Sequence, residues 1–399
     1  MMKTKRFLSI LLIISMLLSN VQVQATNNAS ENSVVINSAS VDSIADIKSE
    51  TQTLEYTYNY KQQLIKKQTN GQQVKYEYDD HYTWNSVVAP YEHRRTYALD
   101  DLGRIEFISA DDRSFWCQYT GNGLIKSVDY PGSDLKTTYT YDDMNRLTRL
   151  TTANGTQTIV DYTYTYDNVG NVLTVSGSEN VVYTYDDLYR LKTVTQDNIT
   201  TTYEYDGRNN LISETTSDGI TKEYQYSGDN RLKKVIDGGE ETTYEYDLNG
   251  NLIADSNGNE YAYNEDNQLI YSKVDDVETT YTIGVDGYRN KKKTDDDITT
   301  YFLDESGHVI TETDGYDKVT QIIWNGIQPI AKKVDNKYYF YIYNGHGDVV
   351  ALLDENGTVQ NEYTYSPWGE QTIKKENVEN SIGYAGEYQD KDWCKENVS

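Results

Sequence analysis

The sequence is poor in the residues from which most catalytic and metal sites are built. In 399 residues it has two cysteines and four histidines. The histidines are scattered, at His81, His93, His308 and His346. None stands at metal-ligand spacing from a cysteine or carboxylate, and the common phosphate-loop, dinucleotide and serine-nucleophile motifs are absent. We therefore expect no metal, no cofactor and no catalytic residue, and we predict that the chain is not an enzyme.

Proline, helical periodicity and positive charge are also scarce. Four prolines interrupt the chain, and no long run has the period of an amphipathic helix. The 36 lysines and arginines face 63 aspartates and glutamates, which gives a formal charge of −27. Such an acidic surface repels phosphate backbones, so we do not expect nucleic-acid binding.

Tyrosine is the abundant residue, with 39 copies against five each of phenylalanine and tryptophan. It occurs in a repeated unit: Tyr183-Thr-Tyr185-Asp186 returns twenty residues later as Tyr203-Glu-Tyr205-Asp206. A fixed period of this size indicates a repeat architecture. The first tyrosines of the units are Tyr56, Tyr76, Tyr97, Tyr139, Tyr164, Tyr183, Tyr203, Tyr224, Tyr244, Tyr261, Tyr281, Tyr301, Tyr341 and Tyr363, with degenerate copies near Cys117 and Ile323.

Each unit predicts two short antiparallel strands with a turn at both ends. Residues two apart in a strand share a face, so the paired tyrosines lie together, and the following Asp opens a turn. A Gly or Asn three residues later suits the left-handed conformation of a bulged turn, although Tyr189 fills that slot once. Asn-Gly and Asp-Gly pairs, strong signals for two-residue hairpins, supply the second turn. They occur at Asn70-Gly71, Asn154-Gly155, Asp218-Gly219, Asp237-Gly238, Asn257-Gly258 and Asn356-Gly357.

The predicted fold class is all-β, a long antiparallel β-meander. Roughly thirty strands at about 4.8 Å each would give a flat sheet on the order of 140 Å wide. Sheets that wide curl, split or close because strands twist. We therefore expect the hairpins to coil into a spiral, partly open shell.

The N-terminus predicts export. "MMKTKRFLSILLIISMLLSNVQVQA" (1–25) has a basic start, an apolar run and small residues before a cleavage site after Ala25, as secretory signals do. An uncleaved anchor is the alternative. Residues 26–50 are rich in Ser and Asn and are expected to form a linker without enough apolar surface to order itself. We expect no stable membrane span once the signal is removed.

The quoted units resemble a known family. "YTYDDMNRLTRL" and "YEYDLNGNLIAD" are similar to the YD repeats of Rhs proteins, bacterial wall-associated toxins, insecticidal toxin-complex components and teneurins. "YYFYIYNGHGDVVALLDENGTVQNEYTYSPWGEQ" (338–371) and "IGYAGEYQD" (382–390) resemble the start of the Rhs repeat-associated core. The resemblance implies a YD-repeat array at 51–335, the N-terminal part of the core at 336–390 and a non-matching tail at 391–399. It also implies a hollow shell that encloses a C-terminal toxic domain, which the core segment releases with aspartate chemistry.

The sequence departs from the family where the core should close. After "AGEYQD" it reads "KDWCKENVS", so no aspartate matches the self-cleaving pair. Asp390 and Asp392 are expected near a fraying terminus that cannot hold two carboxylates in place. We expect a truncated, secreted or wall-associated scaffold without toxin or self-cleavage motif. Its partner would be a toxin domain or a second polypeptide that completes the shell. The alternative is an extracellular adhesion module that binds glycans or envelope polymers.

The remaining candidate residues have a structural and a functional interpretation. Cys117 stands where a unit places its first tyrosine, which favours a buried free thiol, although secretion permits a disulfide with Cys394. His346 in "NGHGD" is expected to be a turn residue rather than a general base. The run Lys291–Lys293 before Asp295–Asp297 is expected to be a solvated loop, with a partner patch as the alternative. Exposed tyrosines of the repeat could stack on sugars, but their periodicity favours a structural role.

Overall fold

The sheet is formed by nearly the whole described chain. The computed structural model describes residues 21–27, 31–39, 51–78, 84–132, 134–295, 297–316 and 318–390. Within these residues the only helices are two short 3₁₀ segments, Pro90–Glu92 and Tyr384–Gly386. Neither of them has the length or apolar content to cross a membrane. The expectation of an all-β chain is therefore confirmed.

The sheet has 34 strands. The first half comprises β1 (Val21–Asn27), β2 (Glu31–Ala39), β3 (Thr51–Asn59), β4 (Leu64–Thr69), β5 (Gln72–Tyr78), β6 (Trp84–Val88), β7 (Arg94–Leu99), β8 (Ile105–Ala110), β9 (Arg113–Tyr119), β10 (Ile125–Asp129), β11 (Leu135–Tyr141), β12 (Leu147–Asn154), β13 (Gln157–Tyr166), β14 (Val172–Gly177), β15 (Val181–Tyr185), β16 (Leu191–Gln196) and β17 (Ile199–Tyr205). The second half comprises β18 (Leu211–Thr216), β19 (Thr221–Tyr226), β20 (Leu232–Asp237), β21 (Glu240–Tyr246), β22 (Leu252–Asp255), β23 (Glu260–Tyr263), β24 (Leu269–Val274), β25 (Val277–Ile283), β26 (Arg289–Lys293), β27 (Ile298–Leu303), β28 (Val309–Thr313), β29 (Val319–Trp324), β30 (Pro329–Val334), β31 (Lys337–Tyr343), β32 (Val349–Asp354), β33 (Val359–Tyr365) and β34 (Gln371–Glu376).

Each strand pairs antiparallel with the next one in the chain, so the sheet is one continuous meander. The sixteen odd-numbered strands from β3 to β33 hold the predicted units, including the degenerate copies in β9 and β29. In β9 the buried Cys117 replaces the first tyrosine. In β29 Trp324 replaces the second one and donates its indole N–H to the carbonyl of Val309 (2.9 Å).

Where a unit has its aspartate, this residue builds the corner after the strand. Asp186 Oδ1 accepts the backbone N–H groups of Leu188 (2.8 Å) and Arg190 (2.9 Å), and Asp186 Oδ2 accepts Arg190 Nε (2.7 Å). The intervening Tyr189 has a φ of 62°, as Asn145 (63°) and Asn209 (70°) do in their corners. The predicted bulged turn is therefore present even where the sequence places a tyrosine.

The second tyrosine fastens its strand to the preceding unit. Tyr205 Oη donates to the carbonyl of Leu191 (2.8 Å), which begins the return strand of the unit before. The guanidinium of Arg190 lies 4.6 Å from the Tyr205 ring centroid while its Nε holds Asp186, so one arginine joins two successive corners. The hydroxyl bond recurs at Tyr78, Tyr119, Tyr141, Tyr166, Tyr185, Tyr226, Tyr343 and Tyr365.

The second turns agree with the sequence in position but not always in form. At Asn70-Gly71 both residues have positive φ (49° and 87°), as a two-residue hairpin requires. At Asn257-Gly258 the glycine instead closes a longer corner, where Gly258 N–H donates to the Asp255 carbonyl (3.2 Å). The prediction of a two-residue turn was wrong there because the turn begins earlier, at Asp255. Two-residue turns with two positive φ values also form without glycine, at Asp197-Asn198, Asp275-Asp276 and Asp335-Asn336.

The structure differs from the expected linker over part of its length. Glu31–Ala39 forms β2, which pairs along its whole length with β3 and also with β1. Backbone pairing to an existing sheet orders this segment without a large apolar surface of its own. The expected signal peptide lies mostly outside the described residues, and β1 covers its last residues.

The sheet winds so that late strands pack against early ones. We call β5–β14 the outer winding and β28–β33 the inner winding. Buried Tyr76, Tyr97 and Tyr162 of the outer winding share one core cluster with Phe340 and Ile342 of the inner winding. Polar contacts between distant positions follow the same course: Lys67–Asp304 (237 residues apart), Arg95–Ile310 (215), Asn154–Asn356 (202) and Lys222–Glu370 (148).

The two faces of the inner winding are buried by different neighbours. Phe340 and Ile342 face the outer winding, whereas Tyr341 and Tyr343 alternate with them and pack in a second cluster with Ile382. Residues 378–390, which we call the terminal segment, therefore cover the tyrosine-bearing face of the inner winding. By contrast, the tyrosines of β19–β23 are only half-buried.

Candidate functional site

The candidate site is a cavity of about 520 Å³ on the tyrosine-bearing face of β13–β16. Its opposite side is made by the loop between β31 and β32, the loop between β33 and β34, and Tyr384 of the terminal segment. We call it the tyrosine cavity. It lies where the inner winding ends against the outer strands.

The floor of the cavity follows from the repeat. Tyr162 and Tyr164 are two apart in β13, so their rings share a face and stack with centroids 6.3 Å apart. Tyr183 occupies the corresponding place in β15. Val175 and Val194 also line the cavity. The regular unit thus lines the cavity with aromatic faces.

The "NGHGD" turn closes one side of the cavity. Gly345 N–H donates to Tyr164 Oη (2.6 Å), and a Cβ at this position would lie 2.6 Å from the Tyr164 ring. Only glycine permits so close an approach. His346 Nδ1 lies 2.8 Å from Asp348 Oδ1, which also accepts the backbone N–H of Ala385 (2.9 Å).

His346 and Asp348 form a hydrogen-bonded pair that stabilises this turn. The hydrogen bond to Asp348 raises the pKa of His346, despite the opposing effect of its burial. Hydrogen bonds from His346, Ala385 and Asn344 hold the pKa of Asp348 below its usual range although the carboxylate is buried. His346 is therefore a turn residue, as the sequence predicts. The structure also places it beside Tyr384, with ring centroids 5.0 Å apart.

Trp368 and Glu179 complete the cavity. Trp368 packs edge-on against Tyr203 (5.6 Å) and remains 48% exposed. Glu179, in the loop between β14 and β15, lines the cavity as a half-buried carboxylate. Its burial raises the pKa of the carboxyl group, and the charge of Lys374 acts in the opposite direction.

A second, smaller pocket of about 190 Å³ lies under the terminal segment. Tyr388 donates its hydroxyl to Glu312, and its ring packs edge-on against Tyr301 (5.6 Å). Burial raises the pKa of Glu312 to about 7. Asp390 forms ion pairs with Arg289 and with Lys292 (3.5 Å), and its side chain is only 12% exposed.

The expectation that Asp390 frays is therefore wrong. Two cations on β26 hold the carboxylate in place, and they lie about a hundred residues earlier in the chain, so no local pattern pairs them with Asp390. Asp392 and Cys394 lie outside the described residues. Lys291–Lys293 belongs to β26 rather than to a solvated loop, because strand pairing with β25 and β27 holds it in the sheet.

The other singled-out residues have structural surroundings. Cys117 is a buried free thiol, as predicted, and burial raises its pKa to about 11. His308 occupies the corner slot of Arg190, with Nδ1 3.2 Å from Asp304, and stacks on Trp324 at 4.3 Å. His93 Nδ1 lies 3.7 Å from Asp111. Over the described ranges, no group of three His, Cys, Asp or Glu side chains is arranged to hold a metal ion.

Sequence reasoning missed Glu179, Trp368 and Tyr384 as members of one site. Glu179 lies in the loop between β14 and β15, where no motif singles it out, and Trp368 and Tyr384 come from the core-like stretch about two hundred residues later. One available signal was the loss of alternation in "KYYFYIY" and "VVALLD", because continuous apolar strands are buried on both faces.

Comparison with known proteins confirms the resemblance to Rhs and YD-repeat proteins. The family model described as Teneurin YD-shell matches residues 37–162. The tRNA3(Ser)-specific nuclease WapA of Bacillus spizizenii is 32% identical over 210 residues, which is 48% of this chain. The tRNA nuclease WapA of Bacillus subtilis strain 168 is 31% identical over the same length. The matched region spans 8% of either relative.

Solved structures share the fold over nearly the whole chain. The crystal structure of TcdB2-TccC3-TEV superposes with a TM-score of 0.66 at 15% identity, covering 94% of this chain and 26% of that one. A Photorhabdus luminescens Tc holotoxin pore with a mutated TccC3 gives a TM-score of 0.68 at 14% identity, covering 94% and 25%. This chain therefore has the YD-shell fold, and it covers about a quarter of the length of each matched chain.

Proposed function

We propose that this chain is a secreted, non-catalytic β-shell scaffold of an Rhs or YD-repeat protein, and that it encloses a polypeptide partner within the curve of its sheet. The partner would be a toxin domain or a second polypeptide. The scaffold would act by burying that partner against its tyrosine-bearing face. The nuclease activities named for the relatives are not assigned to it, since the matched region is 8% of their length.

The observation that carries this proposal is the uneven burial of the tyrosine-bearing face. In the outer winding this face is covered by the inner winding, and Tyr162 is 3% exposed. In β19–β23 the corresponding Tyr224, Tyr244 and Tyr261 are only half-buried. A face of this kind presents apolar rings and hydroxyl groups together, so it can contact an extended chain without requiring one sequence.

The outward face of the same strands has a different character. Glu223 and Glu245 alternate with the tyrosines and are exposed. The charge of these residues favours solvent on the outside of the sheet. The scaffold thus has one face suited to water and one suited to a polypeptide.

The test is co-expression with the polypeptide encoded directly downstream at the same locus. We expect the two to co-purify and the partner to resist protease while the scaffold is intact. Tyr244→Asp should weaken this protection, because it places a charge on the tyrosine-bearing face. Glu245→Ala, on the opposite face of the same strand, should leave it unchanged.

Equal digestion of the partner with and without the scaffold would contradict the proposal. Binding of envelope glycans by the isolated chain, with no retained polypeptide, would favour the adhesion module instead.

A further inference from the structure

The tyrosine cavity contains a carboxylate without a matching cation. Among the described residues, Glu179 makes no hydrogen bond or ion pair within bonding distance. The nearby cation is Lys374, which affects Glu179 through space and lies 3.9 Å from Glu362. Removing a carboxylate from water is costly unless an opposite charge accompanies it. The cavity therefore favours a positively charged occupant.

The aromatic walls have the same preference. Burial and the charge of Glu179 together raise the pKa of the Tyr183 hydroxyl to about 12, and they raise the pKa of Tyr162 and Tyr164 as well. These rings stay neutral and present negative faces, which attract cations. Trp368 adds a half-exposed indole ring at the rim of the cavity.

The remaining charges do not cancel this preference. His346 faces the cavity, but its charge is matched by Asp348 at 2.8 Å. The chain as a whole has a formal charge of −27, so basic ligands are attracted over longer distances too. The volume of about 520 Å³ exceeds what one side chain needs and leaves room for its backbone.

We propose that the tyrosine cavity binds an arginine side chain of an extended polypeptide, with Glu179 as the ion-pair partner and Tyr183 and Trp368 as stacking faces. Arginine fits better than lysine because its planar guanidinium is weakly hydrated and stacks on aromatic rings. This inference rests on the proposed function, since the polypeptide would be the enclosed one. It assigns a specific anchoring point within an otherwise tolerant surface.

The test compares a short Gly-Ser peptide carrying one arginine with the same peptide carrying citrulline, which is nearly isosteric but neutral. Binding is followed by fluorine NMR of protein labelled with fluorotryptophan, with the Trp368 signal assigned through Trp368→Phe. We expect the arginine peptide to shift this signal saturably and to bind about tenfold more tightly than the citrulline peptide.

Glu179→Gln should reduce binding of the arginine peptide to the level of the citrulline peptide, with the other tryptophan signals unchanged as a check of folding. Glu204→Gln, on the outward face of β17, is the matched control and should bind as the unmodified chain does. Equal binding of both peptides, no binding of either, or an unchanged affinity in Glu179→Gln would overturn the inference. Protease protection of the co-expressed partner is measured separately, so its retention would leave the scaffold proposal standing.

Discussion

Replacing Phe340 by alanine should separate the two windings of the sheet. Phe340 is fully buried, and its ring lies 5.9 Å from that of Phe115 and 5.3 Å from that of Tyr130, both of which precede it by more than two hundred residues. The neighbouring strands β30 and β32 hold β31 by backbone pairing that does not involve this ring. The side chain therefore acts chiefly between the windings.

The expected cost follows from the cavity that the substitution leaves. Phe→Ala changes in well-packed cores cost about 3 to 5 kcal/mol. The two ring contacts lie in the distance range where aromatic pairs add about 0.5 to 1.5 kcal/mol each, so the upper half of that range is expected. The matched control is Phe107→Ala. Phe107 is half-buried, and its ring centroid lies 4.5 Å from that of Trp116 on the adjacent strand. It should cost about 1 kcal/mol.

Urea unfolding measures the total loss, and amide hydrogen exchange shows where it occurs. Exchange should accelerate in both β9–β11 and β30–β32 when Phe340 is truncated. Acceleration confined to β30–β32, or a loss no larger than that of the control, would refute the account of the windings.

Five further outcomes are expected. Tyr189→Asn should stabilise the chain by about 1 kcal/mol in urea unfolding, because an exposed residue with a φ of 62° strains its backbone, and Asn209→Tyr should cost a similar amount. Stability, measured as the urea midpoint against pH, should rise as the pH falls from about 7 to 4.5, since the raised pKa of Glu312 makes the folded state bind its proton first. It should then fall below about pH 4, because the lowered pKa of Asp206 and the other corner aspartates makes the unfolded state bind protons first; a loss that begins at pH 7 would refute this. N-terminal sequencing of secreted material should begin at Thr26. Mass spectrometry of the purified chain should show a constant mass over days, and release of a C-terminal fragment would contradict this.

The sequence was sufficient to predict the strands of the repeat and the positions of its turns. The tyrosine pairs, the corner aspartates and the spacing of the turns predicted the strands and their order, because each depends on residues within one unit. The residue that follows the left-handed residue of a corner also has a local role. At this position the side chain of Arg190 bonds Asp186 and stacks on Tyr205, and this role is local enough to be read from the spacing.

The windings could not be predicted in the same way. A contact such as Tyr338 Oη to the carbonyl of Ala110 (3.0 Å) joins residues 228 positions apart. Which residues meet across the windings depends on the accumulated twist of about twenty strands, and small differences in twist per strand add up. The tyrosine cavity lies between the windings, so its composition was hidden for the same reason.

The departures from the repeat nevertheless mark where the windings meet. In regular units the positions that alternate with the tyrosines are Thr or Glu, as Glu204 is, because they face solvent. In β31 the position that corresponds to Glu204 is Ile342, and together with Phe340 it faces the outer winding. An apolar residue at an outward position is unfavourable unless another layer covers it. The broken alternation is thus a physical consequence of the packing between windings. Strands that are covered on both sides must be apolar on both faces, whereas those that bridge the windings keep one face for water and a half-buried tyrosine-bearing face on the other side.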